Sequence, residues 1–173
     1  IDVVDYRSEI YMKHGKKALV IAVICLTALI AIGCVFSPYI DSYRVNRRLD
    51  ISGVKLLMSP SEVEKILGKG SPVGGFGAHF YEYDNAVVMI AYPVDGMLRD
   101  KAAQIAISDP KYSICGVRPG DSTDKAKQIL EKLGFVQDQT DRSSFRRGSA
   151  RIDIYGGTVR VDIEDWTLRG RVY

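Results

Sequence analysis

Histidine, cysteine and tryptophan are scarce in these 173 residues, at two, three and one. Each shortage removes a class of chemistry. Beyond an apolar run near the start, His79 is the only histidine, so a multi-histidine metal centre lacks its ligands. His79, Glu82 and Asp84 could be grouped as ligands, but on a strand His79 and Glu82 point to opposite faces. Cys25 and Cys34 fall inside the apolar run, which leaves Cys115 alone in the remainder. One cysteine cannot close an internal disulfide, so a disulfide-stapled secreted scaffold is excluded. Cys115, between Ile114 and Gly116, is expected to pack as a small hydrophobe. No HExxH, GxSxG, CxxC or Walker pattern occurs. Gly68-Lys69-Gly70-Ser71 lacks the glycine spacing of a phosphate loop and stands at a helix end, where glycine is ordinary. No cofactor and no metal is expected.

An excess of one charge is also missing from most of the chain. From Leu49 onward, 17 Lys and Arg balance 17 Asp and Glu. The whole net charge of +3 comes from the first 48 residues, with 7 basic and 4 acidic side chains. The basic balance therefore reflects charges flanking an apolar segment. No Arg/Lys stripe interleaved with aromatics appears, which excludes a nucleic-acid partner.

What is present begins with Ala18 to Phe36, ALVIAVICLTALIAIGCVF, 19 residues without a charge. As a helix this run measures about 28 Å, enough to cross a bilayer core. Arg7, Lys13, Lys16 and Lys17 precede it; Arg44, Arg47 and Arg48 follow. The clustered lysines favour an inside N-terminus. The expected layout is a cytoplasmic tail over 1–17, a transmembrane helix over 18–36 and a juxtamembrane connector over 37–50. Pro38 would end the span, and Tyr39 and Tyr43 would sit near the outer interface. Two alternatives stay open. Ala31-Ile32-Gly33-Cys34 resembles a lipoprotein cleavage box with Cys34 as the lipidated residue, and the run could be a cleaved secretory signal.

The remainder repeats itself with a shift of 63 residues. Gly53 and Val54 correspond to Gly116 and Val117, Ser59 to Ser122, and Ile66-Leu67 to Ile129-Leu130. Ser59, Pro60 and Glu62 form a helix-start signature with a capping box, and Gly68 is the stop. The second helix is predicted to run to Lys132-Leu133-Gly134. Three strands follow each helix. In the first copy HFYEY, AVVMIAY and KAAQIAI are separated by turns at Asp84-Asn85 and Val94-Asp95-Gly96-Met97. In the second, SSFRR, ARIDIY and TVRVDIED are separated by Gly148 and Gly156-Gly157. Ile152 and Ile154 alternate with Arg151 and Asp153, as in a strand with one wet face. The fold class is thus α+β: an N-terminal transmembrane helix, then two tandem helix-plus-three-strand antiparallel units over 51–112 and 113–173. Side by side, they share a core that neither could easily build alone.

The phrase Gly-Val-x-x-x-x-Ser-x-x-Glu-Val-x-x-x-Leu-Gly, starting at Gly53 and followed by Phe80, Tyr81 and Tyr83, resembles the small outer-membrane assembly lipoproteins. It is also similar to the wider beta-lactamase-inhibitor-protein-like fold. Leu57 stands where that group has glycine; the second copy restores it as Gly120 and lacks the methionine. The resemblance implies a sheet surface that binds proteins.

Candidate site residues follow from pattern. Phe76, in a glycine-rich loop, with Tyr81, Tyr83, Tyr92 and Trp166, could supply an aromatic interaction surface. Tyr81 and Tyr83 share one sheet face and Phe80 the other, so one set is core. Asp162 and Glu164 share a strand face as paired carboxylates, with Asp165 beside them. Arg151 and Arg160 offer cross-strand neutralisation. In the apolar run, Ala28, Ala31 and Gly33 permit close packing with a partner helix. The expected function is a membrane-anchored, non-catalytic protein-interaction or regulatory module of the bacterial cell envelope. Its C-terminal domain would be extracytoplasmic and its partners the lipid bilayer and an envelope or membrane protein. One alternative is an accessory subunit that contacts a membrane complex through the transmembrane helix. The other is a small-ligand sensor or enzyme, favoured by a deep pocket holding Asp162 or Glu164 with displaced pKa values and opposed by a filled sheet.

Overall fold

The structure is a computed structural model that describes residues 3–168, without the side chains of 3–18 and Cys34. Expectations placed on residues 1–2, on 169–173, on the basic side chains of the tail and on lipidation at Cys34 lie outside the described residues. Two units separate, Ile1–Phe36 and Ser37–Tyr173.

In the first unit, helix α1 carries bare apolar side chains such as Leu19, Ile24, Leu29 and Ile32. From Leu19 onward this helix is long and apolar enough to cross a membrane, a length and composition that a signal sequence shares. Helix α1 runs over Val3–Asn46 and continues through Pro38. Proline costs the helix one backbone bond and a steric clash. On the second unit, Asp41, Ser42 and Val45 are buried, and this packing offsets that cost.

The second unit is α+β. After α1 come β1 (Leu49–Asp50), α2 (Pro60–Leu67), β2 (Ser71–Val73), β3 (Ala78–Tyr83), β4 (Val88–Pro93) and β5 (Gln104–Ile107). The second copy follows as β6 (Ser113–Ile114), α3 (Thr123–Glu131), β7 (Val136–Gln137), β8 (Ser144–Arg147), β9 (Ala150–Tyr155) and β10 (Thr158–Ile163). A 3₁₀ turn, Trp166–Leu168, ends the described chain. One eight-stranded antiparallel sheet has the order β2-β3-β4-β5-β10-β9-β8-β7. The copies therefore meet through their last strands, β5 against β10, and their first strands, β1 and β6, also pair.

The repeated phrase is a turn plus a helix start. Ser52-Gly53 and Cys115-Gly116 both have positive φ, 52° and 93° in one copy and 53° and 84° in the other. Val54 N–H returns to Ile51 O at 2.9 Å, and Val117 N–H to Ile114 O at 2.9 Å. Two left-handed residues in succession make the tight turn that favours x-Gly. At the helix starts, the Glu62 carboxylate accepts the Ser59 N–H at 2.7 Å, and Ser122 Oγ accepts the Lys125 N–H at 3.2 Å. Val63, Ala126 and Leu130 then enter the same core as Val88, Ile90, Ile105, Ile107, Ile152, Val159 and Val161.

Each copy gives the large sheet four strands where three were expected. The additions are the short edge strands β2, which contains Pro72, and β7. Short edges and edge prolines limit pairing with other chains. Gly156-Gly157 makes the expected two-residue hairpin between Tyr155 and Thr158. The Asp84 turn is longer, because Tyr83 pairs with Val88 and Asp84, Asn85 and Ala86 are all left-handed. Lys111 Nζ and the Tyr112 hydroxyl hold the Asp84 carboxylate there, each at 2.7 Å.

One clamp joins the end of α1 to the sheet. Asp41 accepts the Ser149 N–H at 2.9 Å and its hydroxyl at 3.0 Å. Gly148, at φ 58°, lies so close that an added Cβ would strike the Asp41 carboxylate. Gly148→Ala should cost roughly 1–3 kcal/mol through left-handed strain and a displaced clamp. In urea denaturation its effect should be non-additive with Asp41→Ala, since the two changes break one contact. Additive losses would show that the clamp is not shared.

Candidate binding face

The pairing register sorts side chains onto two faces. Tyr81, Tyr83 and Tyr92 fall on the helix-covered face with Val88 and Ile90. Tyr92 is fully buried, Tyr83 is 3% exposed, and their hydroxyls lie 3.4 Å apart. Tyr81 packs edge-on against Tyr92, with ring centroids 6.0 Å apart. Burial pushes both the Tyr83 and Tyr92 hydroxyls above their ordinary range. Tyr83 and Tyr92 are therefore core, and half-buried Tyr81 packs on them; as a set they do not form the expected exposed aromatic surface. Phe76 is 87% exposed in the loop between β2 and β3, and Trp166 is exposed on the final turn.

The other face is open and reads as rows across the sheet. One row runs Phe80, Ala91, Gln104, Asp162, Arg151, Arg146. The next runs Glu82, Met89, Ala106, Arg160, Asp153, Ser144. Apart from Glu82 and Gln104, small and apolar side chains occupy the first copy's half, and apart from Ser144 charges occupy the second copy's half. Ala91, small beside Phe80 and Gln104, lies in the cavity described below.

On the charged half, Arg151, Asp162, Arg160 and Asp153 close a ring of alternating sign. Arg151 Nη2 lies 3.2 Å from Asp162, Arg160 Nε 3.1 Å from Asp162, Arg160 Nη2 2.6 Å from Asp153 and Arg151 Nε 3.2 Å from Asp153. The buried Nε atoms of both arginines make ion-pair contacts there without a well-aligned hydrogen bond. Burial pushes the Asp162 carboxyl above its ordinary range, helped by Asp153, while Arg160 and Arg151 pull it down. Glu164 is paired with Arg146, and Asp165 accepts the Leu98 N–H at 3.1 Å. The acidic cluster is thus a set of arginine and backbone partners, as the cross-strand pattern implies.

A cavity of about 470 Å³ opens on this face. Phe76, Phe80, Pro93 and Leu168 give it an apolar wall, and Gln104, Arg151, Asp162 and Glu164 a polar one. Sequence reasoning named Phe76, Phe80, Arg151, Asp162, Glu164 and Asp165 without bringing them together as one cavity, and missed Pro93, Gln104 and Leu168. Only the register reveals that Phe80 and Asp162 share a row. Trp166 does not line the cavity, although its neighbour Leu168 does.

The remaining candidates lie elsewhere. His79 and Glu82 stand on opposite faces, and Asp84 is held by Lys111 and Tyr112. Among the described residues no group of three metal-ligating side chains occurs. Ala28, Ala31 and Gly33 are exposed on α1, and a Cβ at Gly33 would meet nothing within 4 Å. Cys115 is buried, and burial pushes its thiol up to about 11.

No protein-family model and no curated protein matches this chain. Among solved structures, it is similar to an extracellular protein containing a SCP domain from Bacillus anthracis str. Ames. The TM-score is 0.50 at 10% identity, over 68% of this chain and 47% of the other. The chain thus spans under half the length of that protein, and the likeness is one of fold. It overturns the expected kinship with the outer-membrane assembly lipoproteins and the inhibitor-like tandems. The phrase behind that expectation consists of a tight turn and a helix cap, which any small helix-over-sheet unit can use.

Asp162 and Asp84 should titrate on opposite sides of 3.8, the ordinary carboxyl value. The folded value of Asp162 is raised, so its contribution to stability is full below 3.8 and is lost as pH rises through the folded value. Asp84 is lowered, first by Lys111 and then by Tyr112. Its contribution is present above 3.8 and is lost as pH falls through the folded value. Carboxyl carbon NMR on the full chain in micelles reads both; a common midpoint would contradict the assigned environments.

Proposed function

We propose that this chain is a non-catalytic binding module, held at the cytoplasmic membrane by the apolar part of α1, whose α+β domain works outside it. In this reading residues 1–17 are the inner tail, 18–36 the span, 37–50 the connector, and 51–112 and 113–173 the two units. The proposed ligand is a small amphipathic molecule in the open-face cavity. The carrying observation is the cavity itself, in the size range of ligand sites, which is about 300–1,000 Å³. Its apolar wall suits a ring or chain, and its polar wall presents Gln104, Arg151 and Asp162 for orientation. Ring-bound carboxylates suit recognition better than proton transfer, because each is already engaged by guanidinium groups. Likeness to part of an extracellular protein supports an outside location.

A protein partner on the same face is the second reading. It is favoured by Phe76, which stands 87% exposed at the cavity lip with an apolar ring turned to solvent.

The expected results separate these readings. The full chain should stay with membranes after an alkaline carbonate wash. Aromatic amines and aromatic acids should raise its melting temperature saturably. Phe80→Ala should weaken that binding about tenfold, a loss of about 1.4 kcal/mol. A photocrosslinker at Phe76 that captures one stoichiometric protein, with no small-molecule binding, would transfer the site to the second reading. Absence of both would remove the open face as the functional site.

A further inference from the structure

A second cavity, of about 300 Å³, lies where the end of α1 meets the second copy. Arg44, Arg47 and Arg48 reach it from the α1–β1 corner and Arg147 from the end of β8. Its floor is apolar and includes Phe135 and Ala150. One carboxylate, Asp41, faces these four guanidinium groups. It is already occupied by Ser149, by the Ser37 hydroxyl at 3.3 Å and by Arg44 at 3.3 Å. Arg147 donates to the Leu133 carbonyl. Among the described residues, Arg47, Arg48 and Arg147 have no carboxylate partner. On the open sheet face, by contrast, Arg146, Arg151 and Arg160 are all paired with carboxylates. Three guanidinium groups without a carboxylate partner thus stand around one concavity, and guanidinium forks match phosphate oxygens bidentately.

Tyr39, Ile40 and Tyr43 are exposed on the helical turns that precede these arginines, and Tyr43 also lines the cavity. A free phosphate would not use that apolar collar. Tyrosine rings with an aliphatic neighbour suit the depth where lipid headgroups meet acyl chains. We infer that the Arg44–Arg48 corner and Arg147 form a binding site for the phosphate of an anionic phospholipid, with Tyr39, Ile40 and Tyr43 against its glycerol and upper chains. The site lies 8 to 12 residues past the apolar run for its α1-corner arginines. This inference rests on the membrane-anchored reading and not on the open-face cavity.

The test uses the full chain in neutral detergent, with dioleoyl phosphatidylglycerol, dioleoyl phosphatidylcholine and inorganic phosphate as probes. Phosphatidylglycerol should bind at one molecule per chain by native mass spectrometry and raise the melting temperature. Phosphatidylcholine should do neither. Arg47→Gln combined with Arg48→Gln should weaken phosphatidylglycerol binding about tenfold or more, as the loss of a charge-assisted contact implies. Their lipid-free melting should hardly change, because neither side chain has a partner to lose. Arg147→Gln should weaken binding as well; if loss of its bond to Leu133 unfolds it, the Arg47/Arg48 pair decides alone. Arg142→Gln, away from the cavity, should leave binding intact. Equal binding of the two lipids, or stabilisation by inorganic phosphate matching that of phosphatidylglycerol, would overturn the lipid assignment, as would unchanged binding in the arginine variants. Retention after a carbonate wash reports the anchor separately. A chain that washes off yet prefers phosphatidylglycerol refutes the anchor and keeps the site.

Discussion

The pairing of β5 with β10 is the constraint on which the rest of the domain depends. Four residue pairs cross it, from Val159 with Ile107 to Asp162 with Gln104. Ile105, Ile107, Val159 and Val161 are all fully buried beneath it. Were this seam absent, each copy would be a four-stranded sheet under a single short helix, with an open, apolar edge. Joining the last strands removes both edges at once and places the thin, proline-marked or two-residue strands at the outside. The pairing of β1 with β6 follows from the same arrangement, since it brings the starts of the two copies together as well.

That seam also creates the open face. The first copy contributes Phe80, Met89 and alanines with Glu82 and Gln104; the second contributes alternating arginines and aspartates. Two surfaces meet along one line, mostly apolar on one side and mostly charged on the other. The core-forming pattern is the same in both halves, while the wet faces differ. A symmetrical pair would have had two identical faces and no such boundary.

Much of the fold was legible in the sequence because its signals are local. Capping at Ser59 and Ser122, the Gly156-Gly157 hairpin and the alternation through Arg151–Tyr155 each depend on a few adjacent residues. The short strands β2 and β7 were not legible, since two or three residues show no period and Pro72 argues against a strand. Period-2 alternation separates Tyr81 and Tyr83 from Phe80 but does not say which set the helices cover. The structure puts the tyrosines inside, where the Tyr83 and Tyr92 hydroxyls satisfy one another. Neutralisation among Asp162, Arg151 and Arg160 was legible as cross-strand pairing. The cavity beside them was not, because Phe76, Pro93 and Leu168 come together only through the register and the final turn. Equally, Arg147 is separated from Arg48 by nearly a hundred residues, and nothing local links them.

The clamp between Asp41 and Ser149 spans 108 positions of the chain. During synthesis Asp41 emerges well before the hairpin carrying Gly148 and Ser149. Closure of this contact therefore waits until the chain through β8 has been delivered. Until then the Asp41 carboxylate has only Ser37 and Arg44 close by, and the end of the helix lacks its dock. The end of α1 is thus docked by a residue that lies 108 positions further along, and only a chain extended through Ser149 can make the contact.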